Sequence, residues 1–201
     1  MKCSIVDIHT HRPTGKALEP SFAGIHPWQA ETRRIEEIVP RFGEVDLVGE
    51  IGLDYAGTVG REAQLRIFRE QLDWAERLGK PVVLHCVKAF EAVMRELAPH
   101  ALRAVIFHGF IGSSQQAAEA IKKGYYLSFG ERTFRSPRTV EALRRTPVEN
   151  LFAETDESDV PIEEIYRRIA QAKDLDPELL KCAIYRLSLI HISEPTRHSL
   201  I

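Results

Sequence analysis

Two histidines separated by a single residue, His9 and His11, follow a short apolar run near the start of the chain. Successive residues of a β-strand point to opposite faces, so the two imidazoles share one face if this run forms a strand, and Asp7 shares it with them. Histidine is the commonest metal ligand in its neutral form, so two imidazoles at a strand end are a ready pair of metal ligands. The pair by itself is equally typical of core histidines that hydrogen-bond to their neighbours.

Four later apolar runs also end in a residue type that binds metals, namely Glu50, His85, His108 and Asp156. Mixed nitrogen and oxygen donors suit Zn²⁺, Mn²⁺, Fe²⁺ or Mg²⁺ better than a thiolate-selective metal. Six ligands exceed what one catalytic ion can use while it keeps an open position. Two divalent ions about 3.5–4 Å apart, bridged by a carboxylate, fit the number of donors better.

The elements that must position these residues alternate regularly between short apolar strands and amphipathic helices, which indicates a parallel sheet with helical crossovers. The pattern predicts seven strands, at residues 4–9, 22–26, 46–51, 81–85, 104–108, 125–129 and 151–156. The expected fold is α/β, an incomplete TIM-type (β/α) barrel of seven parallel strands. Active sites of such barrels lie at the carboxyl ends of the strands, where the six candidate ligands fall.

Composition restricts the function classes. The formal net charge is −2 and no basic run is present, so the electrostatic footprint expected of a duplex-DNA binder is absent. A phosphate-bearing substrate remains compatible, because bound metals would supply positive charge locally. No apolar run approaches the roughly 20 residues of a membrane helix, and no secretory leader is recognised. Nothing indicates an obligate protein partner.

Three scattered cysteines, Cys3, Cys86 and Cys182, show no zinc-knuckle spacing. Their odd number and scatter favour reduced thiols in a cytoplasmic protein. Cys86 alternates away from His85, so we expect it to face the core.

The domain organisation is expected to be a single barrel over residues 1–186, followed by a tail at residues 187–201. From Leu187 the helical pattern breaks abruptly, and the segment reads like the in-frame translation of a sequencing adapter. The tail is therefore predicted to be non-native and is excluded from fold reasoning. A genuine chain terminus is the alternative.

Several short motifs, taken in chain order, resemble those of the TatD family of metal-dependent hydrolases, which are generally described as deoxyribonucleases. The resemblance extends from about residue 4 to residue 186, and the Glu-Ile-Gly-Leu-Asp-Tyr run is its most specific part. The motifs are Asp7-Ile8-His9-Thr10-His11, Gly24-Ile25-His26-Pro27, Gly49-Glu50-Ile51-Gly52-Leu53-Asp54-Tyr55, Leu84-His85, His108-Gly109-Phe110-Ile111-Gly112 and Glu154-Thr155-Asp156.

The resemblance implies a role for each candidate ligand. His9 and His11 would bind one metal with Glu50 bridging, and His85 and His108 would complete the second site. Asp156 would bind the first metal and orient or deprotonate the attacking water. A carboxylate beside a metal-activated water can accept its proton, so the chemistry agrees with these roles.

Substrate contacts are less defined by the sequence. His26 would contact a substrate phosphate or only brace its loop. Lys88 stands where the family usually has an arginine, so it keeps the charge and loses bidentate phosphate geometry. It would contact a phosphate or remain a solvated lysine. Arg132 and Arg135 are weaker candidates, since charged loop residues are usually just solvated.

The chain departs from the family in two further places. Only residues 12–21 separate the His-x-His segment from the next strand, where the family usually has a strand and a helix. The loop after Asp156 is short as well. The expected function is cleavage of phosphodiester bonds in DNA, with hydrolysis of a small amide, lactone or phosphoester as the alternative, or a non-catalytic metal-binding domain.

Overall fold

The computed structural model describes residues 3–192, and within them a six-stranded parallel sheet follows the order of the chain. Each strand pairs in parallel with the next one along the sequence, and a helix lies within every connection. This arrangement confirms the expected α/β fold, an incomplete barrel of the TIM type. The strands are β1 Phe22–Ala23, β2 Leu47–Asp54, β3 Val82–Val87, β4 Val105–Phe107, β5 Tyr126–Phe129 and β6 Leu151–Ala153.

The expectation of seven strands is wrong, because residues 4–9 form only isolated bridges. Their two sides pair with different partners: Asp7 N donates to the Leu18 carbonyl, whereas Ile8 N donates to the Ala153 carbonyl of β6. Neither side finds a partner strand long enough to build a ladder. The segment nevertheless lies between β6 and Leu18, so it occupies the place of the first barrel strand.

Within residues 3–192, seven α-helices accompany the sheet, and three of them begin directly after a residue whose side chain caps the first turn. Ser113, Ser136 and Asp176 each accept hydrogen bonds from backbone amides of the first turn they precede. The helices are α1 Val39–Phe42, α2 Arg61–Arg77, α3 Phe90–Leu97, α4 Ser114–Lys122, α5 Pro137–Arg145, α6 Ile162–Lys173 and α7 Pro177–His191.

The core lies between the sheet and its helices. All eight residues of β2 are buried, as expected for a parallel strand covered on both faces. Phenylalanines from the strands and the surrounding helices fill much of the space, and the fully buried ones are Phe42, Phe68, Phe107, Phe129 and Phe152. The well-packed interior leaves the carboxyl ends of the strands as the place where polar side chains gather.

The last helix extends further than expected. α7 continues to His191 instead of ending before Leu187, and Ser188 within it is buried. His191 Nε2 lies 2.6 Å from the Tyr126 hydroxyl of β5, which attaches the end of the helix to the sheet. The non-native origin of residues 187–201 stays a prediction, and residues 193–201 lie outside the described part of the chain.

A disulfide joins Cys3 to Cys182 in α7, so the expectation that the cysteines are reduced is wrong for this pair. The sequence separation of 179 residues concealed the pairing, which depends on the N-terminal segment lying beside the last helix. Cys86 is the free thiol among the described residues and packs partly against the core. No helix within residues 3–192 is both long and apolar enough to cross a membrane.

Candidate metal centre

The barrel brings the six predicted ligands to one end of the sheet. Glu50 lies within β2 and His85 within β3, while His108 directly follows β4 and Asp156 comes three residues after β6. The backbone of the N-terminal segment is attached to the same end, because Asp156 N donates to the His9 carbonyl and His11 N to the Asp156 carbonyl. These reciprocal bonds hold Asp156 beside both histidines.

Two residues of the site have backbone conformations that the fold must enforce. Asp156 has a φ of 56°, which lies in the left-handed region that residues other than glycine rarely adopt. Gly52 has a φ of 139°, and a Cβ built on it would lie 2.0 Å from the His85 carbonyl oxygen. Glycine at this position lets β2 and β3 approach each other closely, just beyond Glu50.

Glu50 is the centre of the site, and its first oxygen faces the N-terminal histidines. Oε1 lies 2.8 Å from His9 Nε2 and 2.8 Å from His11 Nε2. Asp156 is beside the same two imidazoles, with Oδ1 3.8 Å from His9 Nε2 and 3.7 Å from His11 Nε2. These four side chains form one compact group of donors.

The second oxygen of Glu50 faces a different set of imidazoles. Oε2 lies 3.0 Å from His108 Nε2, 3.3 Å from His85 Nδ1 and 3.5 Å from His26 Nε2. Each oxygen of one buried carboxylate therefore has its own group of histidines. This division is what a carboxylate that bridges two ions would require.

His26 lies closer to the centre than the sequence indicated. His26, Glu50 and His85 each offer one potential ligand atom, and these three atoms all lie within 4.8 Å of one another. His26 was predicted as a substrate contact, and the geometry also makes it a candidate ligand. Burial and the neighbouring His85 lower the pKa of His26 to about 4, so its imidazole is neutral near pH 7.

Glu154 is a site residue that the sequence reasoning left without a role. It is fully buried, with Oε1 3.4 Å from His108 Nδ1, and its Oε2 has no hydrogen-bond partner. Burial alone would raise the pKa of Glu154, but the hydrogen bond with His108 and the charges of His108 and His9 together outweigh it and keep the pKa below its ordinary value. A signal was present, because Glu154 stands two residues before Asp156 in the same motif.

Asp54 contacts the nitrogen of His85 that faces away from Glu50. His85 Nε2 lies 3.1 Å from Asp54 Oδ2, and Trp28 Nε1 donates to the same oxygen at 2.8 Å. Asp7 accepts hydrogen bonds from the amide and hydroxyl of Thr155. Burial raises the pKa of Asp7 to about 7 despite those bonds.

The charge balance of the centre favours cations. Burial works against ionisation of Glu50, yet hydrogen bonds with His108, His85 and His9 hold its pKa far below the usual range. Near pH 7 the end of the barrel thus carries a buried carboxylate surrounded by imidazoles whose nitrogens converge on it. Such a set of N and O donors is the kind that divalent cations bind.

The donor separations are compatible with bound divalent cations. Ligand bonds of about 2.1 Å in a tetrahedral shell place neighbouring donors roughly 3.4 Å apart, and the Glu50 oxygens lie 2.8–3.5 Å from five imidazole nitrogens. The buried Glu154 Oε2 has no hydrogen-bond partner within the described residues, and Glu154 belongs to a group of potential ligands with His108 and Asp156. The side chains that could hold ions form three groups: His9, His11, Glu50 and Asp156; His26, Glu50 and His85; and His108, Glu154 and Asp156.

Two large cavities open beside the centre. One, of about 660 Å³, is lined by His26, Glu50 and Asp156, and also by Trp28 and Arg41. The other, of about 620 Å³, shares His85, His108 and Asp156 with the first one.

The predicted substrate contact Lys88 lies in the wall of the second cavity. Arg132 lines both cavities. The second cavity therefore has both Lys88 and Arg132 in its wall, next to His85, His108 and Asp156.

Comparison with known proteins gives a consistent result. The family model described as TatD related DNase matches residues 16–188. The metal-dependent hydrolase YjjV of Escherichia coli is 33% identical over 157 residues, which cover 72% of this chain and 61% of that protein. The 3′-5′ ssDNA/RNA exonuclease TatD of Citrobacter koseri is 33% identical over 149 residues, covering 68% of this chain and 56% of that protein.

Solved structures agree at the level of the fold. The crystal structure of YjjV from E. coli superposes with a TM-score of 0.79 at 24% identity, covering 88% of this chain and 78% of that one. A TatD family hydrolase from Entamoeba histolytica gives a TM-score of 0.75 at 18% identity, with 88% and 75% coverage. The chain spans 50–61% of the length of the first curated relatives that it matches. The family model, which matches most of the chain, agrees with the motifs and with the barrel, and the chain therefore belongs to the TatD family.

Proposed function

We propose that the protein is a metal-dependent hydrolase that cleaves phosphodiester bonds in DNA at a two-metal site, acting on single-stranded or 3′-terminal substrate. The observation that carries the proposal is the division around Glu50. One of its oxygens faces His9 and His11, and the other faces His85 and His108. A structural zinc site needs only four closed ligands, so this richer set favours catalysis.

The side chains of the site would hold two divalent ions, and the candidate metals are Mg²⁺, Mn²⁺ and Zn²⁺. His9, His11 and Asp156 would hold the first, His85 and His108 would hold the second, and Glu50 would bridge them. When bound, such ions lower the pKa of a nearby water and stabilise the charge that develops on phosphoryl oxygens. Asp54 orients the His85 imidazole, and Glu154 orients the His108 imidazole, each through the ring nitrogen that does not face Glu50.

Asp156 is the proposed general base. Its carboxylate lies at the open end of the site, about one-quarter exposed, where a water has access. Burial and the neighbouring Glu154 raise the pKa of Asp156 above its ordinary value, which makes it a better proton acceptor than a solvated aspartate. Its position between the two N-terminal histidines and the substrate cavities places it where water and phosphate would meet.

Lys88 and Arg132 are the proposed phosphate contacts. Both side chains are exposed beside the centre, and neither forms an ion pair with any carboxylate of residues 3–192. Unpaired cations next to a metal centre attract an anionic chain without requiring a large basic surface. A relative that is named as a single-strand exonuclease supports a polynucleotide substrate.

The test is hydrolysis of short single-stranded oligonucleotides, labelled at either end, with Mg²⁺ or Mn²⁺ and with or without a chelator. We expect metal-dependent cleavage that Asp156→Asn lowers by roughly 100-fold or more, since general base catalysis contributes 10²–10⁴-fold. Asp159→Asn is the matched control, because Asp159 is exposed on the same loop and, among residues 3–192, forms an ion pair only with Arg12. Wild-type rates in Asp156→Asn would refute the mechanism.

A substrate panel on the metal-loaded protein separates the alternatives. Turnover of an amide, a lactone or a small phosphoester, with no cleavage of oligonucleotides, would replace DNA as the substrate class. One tightly held ion per chain, with no turnover of any substrate, would indicate a non-catalytic metal-binding domain instead.

A further inference from the structure

We propose that Trp28 is a stacking platform for a nucleobase of the substrate, next to the phosphate that is hydrolysed. This inference rests on the proposed function and names a residue that would recognise the substrate. Trp28 is 62% exposed, although it stands at the wall of the cavity that contains Glu50 and His26. Single exposed apolar side chains are common, so the argument depends on how this one is placed.

The indole is held firmly by its edge. Trp28 Nε1 donates to Asp54 Oδ2, and its amide donates to His26 Nδ1 at 3.2 Å. The preceding Pro27 is buried and begins the short 3₁₀-helix Pro27–Gln29. Because these bonds are made by the Nε1 edge and the backbone amide, they fix the orientation of the indole while much of the ring stays exposed. A preorganised ring loses little conformational entropy when a ligand stacks on it.

The ring is adjacent to the candidate metal ligands. Its centroid lies 4.6 Å from that of His26 and 6.0 Å from that of His85, and both histidines face Glu50 Oε2. Trp28 is therefore one side chain removed from the place where the phosphate would react. The cavity of about 660 Å³ is in the size range of small-molecule sites, which admits a nucleoside.

The other walls of this cavity match the rest of a nucleotide. Arg41 and Arg132 line it, and neither has a carboxylate partner in the described part of the chain. An aromatic ring combined with unpaired arginines is the usual composition of sites for single-stranded nucleic acid. Trp74, the second tryptophan, is partly buried against the core, and this contrast marks Trp28 as the exception.

A fluorescence titration tests the stacking without any turnover. In the Trp74→Phe variant Trp28 is the remaining tryptophan, so its emission reports directly on the site. With divalent metal present, a deoxynucleoside 5′-monophosphate should quench this emission saturably. Deoxyribose 5-phosphate, which lacks the base, should bind roughly 5- to 150-fold more weakly and leave the emission unquenched. Equal binding of the two, without quenching by the nucleotide, would overturn the proposal.

Kinetics separate stacking from a bracing role through Asp54. The readout is the ratio of kcat/KM for a single-stranded trinucleotide to that for a trinucleotide whose bases are replaced by hydrogen. Trp28→Ala should lower this ratio roughly 5- to 150-fold, whereas Trp28→Phe, which keeps a ring but loses the bond to Asp54, should largely preserve it. An unchanged ratio in Trp28→Ala would assign Trp28 a purely structural role.

The two proposals fail in different ways. If the wild-type protein hydrolyses no oligonucleotide, the proposed function is wrong, whatever the titration shows. If the protein cleaves oligonucleotides, but the nucleotide does not quench Trp28 emission and Trp28→Ala leaves the ratio of kcat/KM values unchanged, the stacking proposal alone is wrong.

Discussion

Glu50 shows how a single residue can organise a candidate metal centre. Five imidazole nitrogens lie within 3.5 Å of its two oxygens, and they divide into two sets. A buried carboxylate tolerates this position only because hydrogen bonds compensate for the loss of water. The same compensation keeps it ionised and available to cations.

Glu50→Gln should weaken metal binding more than about 10-fold, because the amide removes the charge and replaces one of the two acceptor oxygens, so one of the two sets of histidines loses its acceptor. Metal content after dialysis against a range of free ion concentrations measures the effect. Glu119→Gln serves as the control, since Glu119 is an exposed residue of α4. Unchanged metal content in Glu50→Gln would contradict the bridging role.

Lys88→Ala should raise KM for oligonucleotides and reduce the dependence of binding on salt. The loss of one phosphate contact lowers the slope of log K against log salt by about 0.7 for a single strand. Binding measured at several salt concentrations gives the slope, and Lys122→Ala in α4 is the control for an exposed lysine away from the cavities. Equal slopes for Lys88→Ala and the wild type would remove Lys88 from the substrate site.

At the scale of elements, the contact between β2 and β3 sets the geometry of the centre. β2 carries Glu50 and β3 carries His85, and Gly52 allows the two backbones to meet. A side chain at Gly52 would need a positive φ and space that the His85 carbonyl already occupies. Packing of these two strands and the ligand geometry are therefore linked.

Gly52→Ala should destabilise the protein by about 2–4 kcal/mol, or shift β3 and disturb His85, because the new Cβ has no room. Chemical denaturation measures the change in the free energy of unfolding. Gly43→Ala is the matched control, since no atom lies within 4 Å of the Cβ position there and φ is −70°. Equal stability of the two variants would show that the strands separate at little cost.

At the scale of the whole molecule, the disulfide joins the two ends of the described chain. Cys3 precedes the segment that carries His9 and His11, and Cys182 lies in α7. The bond therefore adds a covalent attachment to the N-terminal segment, whose β-pairing in the described chain consists of isolated bridges. Cross-linking across so long a loop restricts the unfolded chain strongly.

Replacing both Cys3 and Cys182 by serine should lower stability by about 2–4 kcal/mol, and reductant should lower the Tm of the wild type. Thermal unfolding with and without reductant provides the measurement. The double variant should be insensitive to reductant, which makes it the internal control. A wild-type Tm that reductant leaves unchanged would mean that the bond contributes nothing.

Some elements could be predicted because their signals are local. The helices α2 and α3 follow from apolar spacing, and the starts of α4, α5 and α7 follow from Ser113, Ser136 and Asp176. The ends of the predicted strands that became β2, β3, β4 and β6 indicated where the ligands would gather. In contrast, residues 4–9 carry a strand pattern but lack a continuous partner, which no local pattern reveals.

The sequence by itself determined the types of donor, their order along the chain and their place at strand ends, because apolar periodicity and turn residues act over a few positions. Only the tertiary structure decided which oxygen of Glu50 meets which histidine, that His26 and Glu154 join the centre, and that Cys3 meets Cys182. These contacts join residues 24 to 179 positions apart, and their formation depends on how the whole barrel packs.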